Sequence, residues 1–273
     1  MNKLLIIFVF LISNCTTTTL NTESEVTRKQ FVLLPSFMAL SMANEGYQQA
    51  KQKAEESNQL NQDVYQLNEI RKISYRLIDE VRYFRPDAKS WNWEINLQSN
   101  DQVNAYCMPG GKIMVFTGLL DKAASTNDEI AAVIGHEIAH ALREHGRERM
   151  STSLLQQIGV LGFAIYISDS SNNRAIKNIA VQGVAIGTTL FFALPNNREQ
   201  EREADKIGLE LAARAGYNPL AAVSLWRKMD ELNNASPPEF LSTHPSNENR
   251  IADIKSHSDK IMHLYEENKA RFN

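Results

Sequence analysis

The chain has 273 residues, is 43% hydrophobic and 22% charged, and carries a formal net charge of −3. That composition is ordinary for a globular protein and supports one large domain or two small ones around a substantial core. No block of like charge marks a nucleic-acid surface, and no internal repeat or long low-complexity tract marks a solenoid or a disordered chain.

The first stretch, "MNKLLIIFVFLISNC", sets Lys3 before an apolar run from Leu4 to Ile12. The run is too short to span a bilayer and has the layout of a secretory signal, so residues 1–14 are expected to be a signal peptide. Cys15 follows at once, and "LISNC" resembles a bacterial lipobox, with Asn14 where Gly or Ala is usual. Cys15 is therefore the expected lipidation site, holding the chain to a membrane. Thr16, in place of aspartate, points by Gram-negative sorting rules to the outer membrane, facing the periplasm. Residues 15–30 are polar and unpatterned and are expected to be a flexible tether, leaving 31–273 as a single domain. The only other cysteine is Cys107, which reads as a small core residue. With Cys15 acylated no intrachain disulfide can form.

Helix-forming composition begins near Gln48. Apolar residues at Val64, Leu67, Ile70, Ile73, Leu77 and Val81 then repeat with helical spacing until Pro86. "WNWEINL" alternates as a half-buried strand, and "VNAYCMPGGKIMVFTG" reads as strand, turn, strand about Pro109, Gly110 and Gly111. "TNDE" from Thr126 to Glu129 is a capping box for a helix expected to run to about His145. Two apolar helical segments follow, near 153–167 and 175–194. The first is too short to span a membrane and the second contains Lys177, Asn178 and Gln182, so both are expected as a hydrophobic hairpin. Covering the active site and touching the membrane surface are both open to it. Helices near 198–215 and 219–233, a loop at "NASPPEF" and a polar helical tail complete the chain. The sum is helix-rich α+β with a small β-sheet beside the helix that carries the next motif.

That motif is "HEIAH". His136 and His140 are four apart and share a helix face, with Glu137 beside them. In H-E-x-x-H two imidazoles bind zinc and the glutamate works on water. The surrounding "AAVIGHEIAHAL" is apolar enough to be buried, and buried imidazoles and carboxylates need partners. A catalytic zinc needs a third protein ligand. No histidine follows His140 in the extended H-E-x-x-H-x-x-G-x-x-H pattern, whereas "NREQEREADKIG" sets Glu201 and Asp205 on one helix face. Glu201 can reach the metal, and Asp205 can accept a hydrogen bond from a ligand histidine. Glu199, Glu203 and His244 are the next candidates for the ligand position.

"HEIAH", "REQEREADKIG" and "THPSNENRI" occur here in the order seen in the membrane-associated zinc metallopeptidases of the Ste, HtpX and Oma types. "NAYCMPGGKIMVFTGLL" resembles a further segment of that family. The resemblance covers about 48–254 and lies nearest the family's periplasmic lipoprotein members. It implies a zincin-like fold, one Zn2+ per chain held by His136, His140 and Glu201, Glu137 as catalytic residue and Asp205 in support. It places His244 at the mouth of the site, either stabilising an oxyanion or occupying the open metal position at rest. His145 reads as a structural cation at the helix end, and His257 and His263 as surface residues. The strand at Asn104, Ala105 and Tyr106, or else Lys112–Phe116, can offer an edge to an extended substrate.

These readings lead to a zinc-dependent endopeptidase acting on misfolded or immature cell-envelope polypeptides, with envelope-protein assembly partners possible and no nucleic acid. The alternative is a catalytically silent envelope chaperone of the same fold.

Overall fold

The structure is a computed structural model that describes residues 15–167, 195–235, 238–245 and 249–272, with side chains of 158–167, 234–235 and 272 not described. The expected signal peptide and most of the apolar hairpin lie outside the described residues. The fold is helix-rich α+β. A short pair, β1 (Cys15–Thr16) and β2 (Gln30–Phe31), runs antiparallel. Helices α1 (Ser36–Glu56) and α2 (Val64–Glu80) follow, and two 3-10 turns, Val81–Tyr83 and Pro86–Ser90, end the second. Asp63 caps α2 by accepting from the Gln66 amide, and Leu67, Ile70, Ile73 and Leu77 bury the face that their spacing predicts.

The sheet has β3 (Glu94–Gln98), β4 (Ala105–Met108) and β5 (Lys112–Phe116) in the order β3-β5-β4, parallel and then antiparallel. Gly110 and Gly111, both at φ +84°, make the turn between β4 and β5. Because β5 is central, Lys112–Phe116 offers no free edge. The edges belong to β3 and β4. The short α3 (Thr117–Lys122) leads into α4 (Asn127–Leu142).

Helix α4 is the axis of the molecule. Thr126 and Glu129 form the expected capping box, and Lys228 and Ser224 also bind Glu129. Every residue from Ala131 to Leu142 is buried, which is why this stretch is apolar all round rather than on one stripe. The helix stops at Leu142, three residues short of the expected end. Glu144 takes φ +51°, which breaks the helical path, and α5 (His145–Ile167) starts afresh.

Next come α6 (Arg198–Arg214), capped reciprocally by Asn197 and Gln200, then α7 (Ala221–Ala235), α8 (Glu239–Thr243) and α9 (Arg250–Asn268). The sequence reads α8 as loop because five residues show no period. Helices α4 and α6 touch backbone to backbone. A Cβ on Gly208 would lie 2.7 Å from the His136 amide nitrogen, and one on Gly135 would lie 2.9 Å from the Gly208 carbonyl oxygen.

The expected tether is corrected by the structure. Ser24 and Gln30 are buried. The Thr22 hydroxyl and the Ser24 amide each donate to Glu210 Oε2 at 2.6 Å, and Arg28 binds carboxylates on α5 and α6. The cause is buried charge: Glu210 and Glu203 need donors, and this polar segment supplies them. Among the described residues no helix is long and apolar enough to cross a membrane.

Candidate metal centre

Three elements bring four side chains together. His136 and His140 lie one turn apart on α4, Glu201 stands in the first turn of α6, and His244 follows α8. All four are buried, and their ligand atoms lie within 4.8 Å of one another. His136 Nε2 is 3.0 Å from His140 Nε2 and 3.2 Å from His244 Nδ1. Glu201 Oε1 is 3.1 Å from His244 Nδ1 and 3.3 Å from His140 Nε2, and Glu201 Oε2 is 3.4 Å from His136 Nε2. Three imidazoles and one carboxylate, buried and convergent, are a donor set suited to a single zinc ion.

A second layer holds these groups. Asp205 Oδ1 is 3.0 Å from His136 Nδ1. Arg250 clamps Asp205 with two hydrogen bonds of 2.9 and 2.8 Å, reaches Glu201 Oε2 at 2.9 Å, and lies over the Trp226 ring at 3.4 Å. His140 Nδ1 is 2.8 Å from His145 Nδ1, and His145 Nε2 is 2.9 Å from Glu203 Oε2. Arg143 and Arg28 also donate to Glu203, and Arg28 continues to Glu148. Glu203 therefore stands with arginines instead of at the ligand cluster. Glu199 pairs, at the surface, with Arg202 at 3.9 Å.

Two histidine readings change. His145 is fully buried, and burial, only partly opposed by Glu203, draws its pKa down to about 4. It is neutral, so it cannot be a helix-end cation. His257 is buried as well and not on the surface, whereas His263 is exposed.

Burial pushes the Glu137 carboxyl up, against the opposing pull of His244 and His136. Its Oε1 has no hydrogen-bond partner and lies 3.4 Å from His244 Nε2. Burial also works against the Glu201 and Asp205 carboxylates. His244 and the three imidazole contacts hold Glu201 well below the usual range, and Arg250 and His136 hold Asp205 down. Beside Glu137 and His244 opens a cleft of about 140 Å³, walled by Asn104, Ala105, Tyr106 and Cys107 from the edge of the sheet. Arg149 and Asn196 line it too. Cys107 is the buried core thiol that the sequence suggests.

The sequence reading missed Arg28, Arg143, Glu148, Arg149 and Asn196 as neighbours of the site. Spacing gives no sign of them, since they reach the site from several separate segments, with only Glu148 and Arg149 sharing one, α5. Arg250 was within reach, because it stands inside "THPSNENRI".

A carboxylate oxygen left without a partner beside converging imidazoles, on an otherwise apolar stretch of helix, is the side-chain arrangement of the H-E-x-x-H class of metal site. Residues 66–258 match the model of peptidase family M48, and the chain belongs to that family. It is similar to the mitochondrial metalloendopeptidase OMA1 of Arabidopsis thaliana, at 38% identity over 159 residues, covering 58% of this chain and 30% of the relative. The Saccharomyces cerevisiae protein of the same name is 33% identical over 183 residues, covering 64% and 50%. The beta-barrel assembly-enhancing protease of Escherichia coli is 29% identical over 171 residues, covering 60% and 34%. The chain thus spans half or less of the length of these relatives.

Proposed function

We propose that this chain is a zinc endopeptidase in which His136, His140 and Glu201 hold the metal and Glu137 is the general base. The observation that carries the reading is Glu137: a buried carboxylate with an unpartnered oxygen, beside the ligand cluster and facing the cleft. A zinc ion held there supplies Lewis-acid polarisation of the scissile carbonyl and acidifies water. Glu137 takes the water's proton and passes it to the leaving amine. Asp205 holds His136 in orientation. The outer edge of β4 at Asn104, Ala105 and Tyr106 aligns an extended polypeptide by backbone hydrogen bonds, with little demand on sequence. The test is zinc per chain, with casein or peptide cleavage measured with and without a chelator. Zinc bound at one per chain and cleavage abolished by the chelator support the reading. Zinc-loaded protein that cleaves nothing favours the chaperone alternative.

His244 fills the fourth ligand position in this reading, because its Nδ1 faces the same point as His136, His140 and Glu201. A catalytic zinc keeps a position for water, so a zinc held by all four residues would be at rest, and release of His244 would open that position. His244→Ala then gives a faster or less latent enzyme. A fall of roughly a hundredfold assigns it to the oxyanion instead.

The substrates are misfolded or immature proteins of the cell envelope, and the chain is lipid-anchored at the outer membrane, facing the periplasm. Support comes from the signal-like residues 1–14, the lipobox-like "LISNC" and the likeness to the beta-barrel assembly-enhancing protease of E. coli. Cys15→Ser should abolish metabolic palmitate labelling, and identical labelling of both forms removes the anchor from the proposal.

A further inference from the structure

The imidazole of His140 has two nitrogens and, when neutral, one proton. Metal binding needs the lone pair on Nε2, the atom that faces His136 and Glu201. The proton must therefore sit on Nδ1, and something must accept it there. For His136 the facing carboxylate is Asp205, with Oδ1 3.0 Å from Nδ1. His140 has no carboxylate at its Nδ1. It has His145 Nδ1 at 2.8 Å, a contact between two atoms of which only one can carry the hydrogen.

The other end of His145 fits that requirement. Its Nε2 lies 2.9 Å from Glu203 Oε2, and a carboxylate only accepts. With His140 Nδ1 required as the donor, His145 Nδ1 must offer its lone pair, and the hydrogen of His145 sits on Nε2, where Glu203 accepts it. Arg143 donates twice to the same Glu203 oxygen and Arg28 donates to both Glu203 oxygens, so that acceptor is fixed as an anion. We infer that His145 is a positioning residue, a relay through which Glu203 fixes the Nδ1–H tautomer of His140 and aims its Nε2 lone pair at the metal position. Each α4 ligand then has its own orienting carboxylate on α6: Asp205 acts directly on His136, and Glu203 acts through His145 on His140. The break in the helix at Glu144 serves this relay, because it turns His145 back toward His140.

The inference rests on His140 being a metal ligand, and its test has one arm that does not. In metal-free protein, imidazole 15N shifts should report His140 in the Nδ1–H form, the minority tautomer of free histidine. His145→Gln keeps an oxygen to accept from His140 and an amide to donate to Glu203. His145→Phe fills the space and does neither. The Phe variant should lose about ten- to a hundredfold in zinc affinity, by competition with a chromophoric chelator, and the Gln variant should stay within a few-fold of the parent. Nε2–H at His140 in the parent overturns the relay. So does parental affinity in a folded Phe variant, or a Gln variant as weak as Phe. If the Phe variant does not fold, the 15N measurement on the parent and the Gln variant decides. A parent that binds no zinc defeats the metal reading and leaves the tautomer result standing.

A second, independent observation concerns Arg149. The other arginines around the site each meet a carboxylate: Arg143 with Glu203, Arg147 with Glu144, Arg28 with Glu148, and Arg250 with Asp205. Arg149 meets none among the described residues. Its buried Nε has no hydrogen-bond partner, and its side chain lines the cleft with Glu137 and His244. A guanidinium whose buried Nε lacks a partner is costly, and a bidentate carboxylate matches its charge and its fork. We propose that Arg149 forms a subsite for a carboxylate of the bound polypeptide, from an acidic side chain or from the chain terminus. This rests on the peptidase reading, so binding is measured apart from cleavage. The zinc-loaded Glu137→Gln protein is titrated with labelled peptides carrying Glu or Gln at each position about the expected cleavage point, each with a free and an amidated C-terminus. One carboxylate should tighten binding tenfold or more, and which peptide gains identifies the source. Adding Arg149→Met should abolish that ratio, and Arg149→Lys should retain part of it. Equal binding of acidic and neutral peptides, or an undiminished ratio in the Met variant, overturns the subsite. Failure of the wild type to cleave any peptide defeats the peptidase reading instead.

Discussion

Glu201 and Glu203 stand two residues apart on one helix, and both are buried. At about 100° per residue they point to nearly opposite sides of it. Glu203 meets hydrogens: two arginines and His145 donate to it, and its charge is matched. Glu201 has Arg250 at its Oε2, but its other neighbours are ring nitrogens able to offer lone pairs: Nε2 of His136, Nε2 of His140 and Nδ1 of His244 crowd the same point with it. Lone pairs converging on one spot repel unless a cation lies between them, whereas a carboxylate ringed by guanidinium groups is complete. The balance of donors and acceptors therefore separates a metal position from a structural ion cluster, although the residue types are the same.

Four perturbations sharpen or break that contrast. The largest effect belongs to Glu137→Gln, which keeps size and shape but removes the base. Cleavage should fall by several orders of magnitude while zinc per chain and melting temperature stay at the parental values. Full activity in this variant ends the mechanism. Metal removal comes next. A cluster that needs its ion should lose about 4 kcal/mol when a thousandfold saturating zinc concentration is chelated away, seen as a fall of roughly 8–16 °C in melting temperature. An unchanged melting curve shows that the acceptors are satisfied without it.

Third in size is the exchange of the two glutamates. Glu201→Gln should lower zinc occupancy, since a neutral amide is a poor substitute for an anionic ligand. Glu203→Gln should leave one zinc per chain at saturation but cost about 3 kcal/mol of stability by stranding Arg143. Calorimetry beside atomic spectroscopy reads both, and matching behaviour of the two variants erases the contrast. The smallest effect is that of Asp205→Ala, about ten- to a hundredfold in zinc dissociation constant. An unchanged constant makes Asp205 a structural partner of Arg250 only.

Much of this was legible in the sequence. The capping box at Thr126, the apolar surroundings of His136 and His140, and the four-residue step from Glu201 to Asp205 all report local geometry, which spacing encodes. What was not legible was tertiary. Residues 15–30 look like tether because they are polar, but polarity is also what a strand needs when it must supply donors to buried Glu203 and Glu210. His145 looks like the last turn of a helix because nothing in "ALREHG" announces that Glu144 adopts a left-handed backbone conformation. Glu203 and Glu201 are indistinguishable as letters, since their difference lies in arginines far away in the chain.

The contact between Gly135 and Gly208 bears on all of this. Glycine inside a helix costs about 1 kcal/mol relative to alanine, and this chain places one on each of the two helices that carry the ligand residues, at the point where they cross. The gap they set is a gauge: His136 begins at the residue after Gly135, and Glu201 lies two turns before Gly208. A single methyl at 208 acts as a shim, prising the α6 carboxylate away from the α4 imidazoles by some fraction of an ångström. Sites of this kind lose about a hundredfold in rate when a group is misplaced by 1 Å. Helix stability and ligand spacing are thereby in opposition at one atom, and this protein has settled the matter for spacing.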